Sequence, residues 1–92
     1  MTQDADFLLM EQQLDGFIES FDRAKRLDPE KTLSPLIKGT EYLLEIAIEM
    51  RKDYKDCQDE SKKEFLISEF KKMLSSIKEA NDVLMRALND RI

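Results

Sequence analysis

Carboxylates are the groups through which this chain could most readily do chemistry. Glu11, Asp15 and Glu19 recur every four residues, and so do Glu41, Glu45, Glu49 and Asp53. On a helix that spacing stacks oxygens along one face, where they could hold a divalent cation or exchange protons. Buried di-metal sites in helical bundles, however, combine inward Glu with a Glu-x-x-His motif, and the chain contains no histidine. Its acids also fall beside the apolar seams rather than on them, so no metal ligand is assigned. The missing histidine removes the commonest general base and every Ser-His or Cys-His pair. Cys57 stands between Asp56 and Asp59 with Lys55 as the nearby cation, a poor setting for a reactive thiolate. It reads as a small half-buried residue at a helix end. Gly16 and Gly39 are isolated and form no phosphate-cradling loop. The chain is read as a non-enzyme with no catalytic residue, cofactor or metal.

Recognition is the chemistry that remains. The first 22 residues carry six acids and no base. Asp4, Glu11, Asp15, Glu19 and Asp22 share one helical arc, next to an apolar stripe of Phe7, Met10, Leu14, Phe17, Phe21 and Ala24. Surface helices ordinarily mix both signs, so this ridge reads as an electrostatic docking face for a basic partner. The plainer reading is a solvated face that serves solubility and the helix dipole. Tyr42 projects among the acidic row of a second helix, and exposed tyrosines are common interface anchors. Asp4, Glu11, Asp15, Glu19, Asp22 and Tyr42 form the candidate partner-binding set. Met50, Met73 and Met85 lie near the apolar edges, where they serve as core filler or as an adaptable groove.

Net charge is −5, and it is concentrated in that first helix. A nucleic-acid partner is disfavoured, because phosphate binding requires a positive patch; Arg23, Lys25, Arg26 and Lys31 are too few and too diluted by Asp28 and Glu30. A lone cysteine forms no internal disulfide and fits a reducing compartment. The opening residues lack the cationic region of a secretory signal. The longest apolar stretch, Tyr42 to Met50, is broken by Glu45 and Glu49 and cannot supply the roughly 20 residues of a membrane span. A cytoplasmic protein is expected.

These residues must be positioned by helices, since Leu, Ile, Glu, Lys and Asp dominate while Gly and Pro number two each. Helix one is predicted over about 4–27, with Thr2 or Asp4 as its N-cap and Gly16 on its polar side. Asp28-Pro29 and Ser34-Pro35 stop it and start the next, which predicts a turn over 28–34 and helix two over about 35–57. Helix two has the widest apolar arc, built from Leu36, Leu43, Ala47, Met50 and Tyr54 with Ile37, Leu44, Ile46 and Ile48 beside them. Ser61-x-x-Glu64 is a capping-box signal that opens helix three, about 62–90. Asn81 lies inside the apolar arc of helix three; it reads as a boundary residue that reaches water, with control of helix register as the alternative.

The expected fold is all-α, an antiparallel three-helix bundle forming a single domain over residues 1–92. Dimerisation could complete it, because the arc of helix two is wider than two neighbours require. The expected function is that of a small acidic helical protein-binding module, acting stoichiometrically as an inhibitor, immunity-type, chaperone or adaptor protein on a basic or partly apolar protein. The alternative is a structural subunit of a homo- or hetero-oligomeric helical bundle.

Overall fold

A computed structural model describes residues 2–28 and 33–90, the side chains of Thr2 and Gln3 excepted. They form three helices, α1 (Thr2–Arg26), α2 (Ser34–Asp56) and α3 (Glu60–Asp90). All three pairs pack together, α2 with α3 most extensively and α1 with α2 least, in a body 47 × 18 × 17 Å. The three predicted helices are present, each within two residues of its expected bounds. Residues 29–32 of the predicted turn lie outside the described residues.

Every seventh residue builds the core. Phe7, Leu14 and Phe21 of α1, Ala47 and Tyr54 of α2, and Phe70, Ile77 and Leu84 of α3 are all buried in one cluster. Strict seven-residue spacing keeps one stripe of each helix facing its neighbours over several turns. Thr40 takes the heptad position before Ala47 and is equally buried; its Oγ1 donates to the Leu36 carbonyl at 2.9 Å. That bond satisfies the hydroxyl inside the helix itself. The wide apolar arc of α2 is largely used within the bundle, because Ile37, Leu43 and Met50 pack against the buried cluster. Leu36 and Ile48 at its edges are 36% and 39% exposed.

Three caps differ from expectation. The first helical residue of α3 is Glu60, and Asp59 Oδ1 accepts from the backbone N–H of Ser61 at 2.9 Å and of Lys62 at 3.4 Å. A carboxylate one residue ahead of the helix reaches these unpaired donors, which leaves Ser61 within the first turn rather than at the cap. Ser34 likewise lies inside α2; Leu33 takes the cap position and contributes no side-chain bond. The buried Asp28 holds this junction instead, its Oδ2 accepting from the Leu33 N–H at 3.0 Å. Asp4 is the third: it sits in the first turn of α1, and its carboxylate is bonded to α2.

Asn81 is half-buried, and Ser20 Oγ donates to its Oδ1 at 3.3 Å. The boundary position is as expected, but its partner is a side chain of α1. Cys57 is half-buried at the end of α2, and its N–H donates to the Tyr54 carbonyl at 3.2 Å.

A Cβ added at Gly16 or Gly39 meets nothing within 4 Å. Gly16→Ala and Gly39→Ala are therefore each expected to stabilise the fold by up to about 1 kcal/mol, measured by urea unfolding. Leu14→Ala, at a fully buried position, is expected to cost about 2–5 kcal/mol in the same experiment.

Candidate functional site

Three of the six acids of α1 meet partners on α2 across the seam between the two helices. Glu11 pairs with Lys55 at 2.7 Å and Asp15 with Arg51 at 3.0 Å, while Lys25 of α1 reaches Glu41 at 3.7 Å. Ascending numbers on α1 meet descending numbers on α2, which is the register of an antiparallel pair. The Tyr54 hydroxyl donates to Asp4 Oδ1 at 2.8 Å. Three of the five ridge acids thus hold partners inside the chain. Glu19 and Asp22 are exposed, and among the described residues no ion pair involves their carboxylates. A sequence signal for this exists: Arg51 and Lys55 repeat the four-residue spacing of Glu11 and Asp15 with opposite sign, on the flank of the α2 stripe.

Tyr54 is the hinge of this end of the bundle. Its ring stacks on Phe7 with centroids 3.8 Å apart, Phe7 in turn meets Phe70 at 5.4 Å, and Lys63 lies 5.3 Å over the Tyr54 ring. Burial, then the hydrogen bond to Asp4 and the negative charges around it, push the Tyr54 pKa up to about 12, since each disfavours phenolate.

The acidic row of α2 is different. Tyr42 is 64% exposed and borders a shallow groove of about 330 Å³ with Ile46 and Met50. Glu45, Glu49 and Asp53 surround that groove. None of the three carboxylates has an ion-pair partner among the described residues. Apolar side chains therefore stand at the centre of an unanswered acidic rim, on the side of α2 turned away from the core.

No family model, curated protein or solved structure matches the chain. Among the described residues no group of three or more His, Cys, Asp or Glu side chains is placed to hold a metal ion, and no helix is long and apolar enough to cross a membrane. Every buried side-chain nitrogen and oxygen among them has a hydrogen-bond partner.

A second and larger groove of about 510 Å³ lies between α1 and α3. Leu9, Met10, Phe17 and Leu74 form its apolar surface. Leu9 had no place in the predicted stripe of helix one, and it is 62% exposed.

The Tyr54 hydroxyl gives a pH signature. With an unfolded value near 10 and a folded value of about 12, its stabilisation is complete below pH 10 and is lost as pH rises toward 12. Tyr54→Phe is expected to cost about 1 kcal/mol at neutral pH. The gap between wild type and variant should be constant from pH 6 to about 9.5 and should narrow above pH 10, as read by denaturant unfolding.

Proposed function

We propose that the chain is a small acidic protein-binding module that acts stoichiometrically and without catalysis. It captures a basic, partly apolar segment of another protein on the outer face of α2. The observation that carries this reading is Tyr42, held two-thirds exposed beside Ile46 and Met50 within the carboxylates of Glu45, Glu49 and Asp53. A helix with an apolar stripe flanked by Lys or Arg matches that pattern: the stripe covers the groove and the cations meet the rim. Stacking like charges four residues apart costs an isolated helix a few tenths of a kcal/mol per pair, and a basic partner relieves that repulsion. Tyr42 serves as the anchor, a large amphipathic surface ordered at low entropic cost.

The ridge of α1 contributes less than its sequence implies, because Asp4, Glu11 and Asp15 already have partners. Glu19 and Asp22 add negative potential that steers a cationic partner from a distance. The same acidity makes nucleic acid a poor partner. Action in the cytoplasm suits a chain whose one thiol needs no oxidised mate.

A labelled synthetic helix with Leu on one face and Lys on the other is the probe. Wild-type protein is expected to bind it one to one, with affinity falling as salt rises. Glu45→Lys, Glu49→Lys and Asp53→Lys together should weaken binding at least about tenfold, as should Tyr42→Ala. Triple reversal of Asp15, Glu19 and Asp22 should weaken it less and reduce the salt dependence. Glu49→Lys alone is expected to raise stability by a few tenths of a kcal/mol while weakening binding. Unchanged affinity in the α2 triple variant would remove this face as the site.

A further inference from the structure

The groove between α1 and α3 has a charge pattern of its own. Lys71 and Lys78 border it from α3, seven residues apart and so on one face. Asp6 borders it from α1, with Gln13 two turns further along. Among the described residues Lys71, Lys78 and Asp6 form no ion pair, although all three border the same groove. One wall is positive, the other carries a carboxylate, and the apolar surface between them is Leu9, Met10, Phe17 and Leu74.

α1 and α3 both run antiparallel to α2, so they run parallel to each other. Phe7 lies against Phe70 and Ser20 bonds to Asn81, which sets their relative heights. Asp6 therefore stands within about one turn of Lys71 along the bundle axis, and Gln13 within about one turn of Lys78. A twofold axis parallel to the bundle, in front of this groove, would place α1 of one copy over α3 of the other at unchanged height. Asp6 of each copy would then meet the other copy's Lys71, and Gln13 would meet Lys78. Leu9 and Met10 of each would cover Leu74 of the other.

We propose that this groove is a self-complementary interface through which two copies of the chain form a parallel, twofold-symmetric dimer. Asp6 and Lys71 carry opposite charge at matching heights and Gln13 offers a carbonyl to Lys78, the self-complementarity an isologous contact requires. The dimer buries Leu9, which is otherwise 62% exposed, and adds two helices to the open side of each bundle. The acidic outer face of α2 points away from the axis, so the dimer neither uses nor blocks the docking surface proposed above and does not depend on it.

Light scattering after size exclusion, across about a hundredfold range of concentration, tests the proposal. The wild-type mass should move from one chain at the dilute end to two at the concentrated end. The Lys71→Glu, Lys78→Glu pair and, separately, Leu9→Asp should weaken dimerisation at least about tenfold. All three positions are exposed or border the groove, and unchanged helical circular dichroism at the dilute end shows that the variants fold. Exchanging charges, Asp6→Lys with Lys71→Glu, should restore the dimer. The α2 reversal at Glu45, Glu49 and Asp53 should leave the mass unchanged. A wild-type chain that stays single throughout, or a dimer indifferent to both groove variants, would overturn the proposal.

Discussion

Tyr54 has to meet two opposed demands: its ring must leave water, and its hydroxyl must keep a partner while it does so. Both are met across the α1–α2 seam, by stacking on Phe7 and by donation to Asp4. Phe7 then passes the contact to Phe70 on α3, so one tyrosine couples all three helices at one end of the bundle. A buried phenol without its acceptor would cost on the order of 1–3 kcal/mol, so the angular position of α1 on α2 is strongly constrained. Arg51 and Lys55 reach Asp15 and Glu11 only in that register. Each of those pairs joins a half-buried partner to an exposed one and contributes modestly alone; their value is agreement with the aromatic contact.

The distribution of charge follows from this arrangement. Acids on the flank of α1 that faces α2 meet cations and a hydroxyl, and so serve the fold. Acids on the outer side of α2 have no opposing helix, and their field extends into solvent around Tyr42 and Ile46. The two rows look alike as spacing, four residues apart and adjacent to apolar positions. They differ in what stands across from them. A helix that leaves like charges unrelieved carries a small cost, and such a cost is more informative at the α2 face than at the α1 seam, where it has been cancelled.

Three helices cannot enclose every apolar edge they carry. The broad arc of α2 is mostly covered, because Ile37, Leu43 and Met50 pack against the core. Between α1 and α3 an open groove exposes Leu9 beside partly covered Met10 and Phe17. Exposed apolar surface is spread over all three helices: Leu8 and Leu9 on α1, Tyr42 and Ile48 on α2, Phe65 and Val83 on α3. Leu8 and Leu9 stand outside the stripe of α1 and are both more than half exposed, which an inward-facing pattern alone does not bring to notice.

Periodicity and composition by themselves determined the three helices, their stripes and their antiparallel order, because these follow from the short-range geometry of a repeat near 3.6 residues and from short connections. Asn81 at a boundary and Cys57 at a helix end were legible for the same reason. The caps were legible only approximately: Asp59, Asp28 and Ser61 are all suitable acceptors, and which one reaches a bare N–H depends on the local path of the chain. The spacing of Arg51 and Lys55 hints at the pairing, but the tertiary structure decided which carboxylates are answered and which are presented. Glu11 lies in a stretch without a base and Glu49 within three residues of Arg51 and Lys52, yet it is Glu11 that ends 2.7 Å from Lys55 and Glu49 that borders an open groove. That distinction arises from the rotation and register of helices packed across the bundle, and electrostatic pairing over a few ångströms depends on those coordinates rather than on separation along the chain.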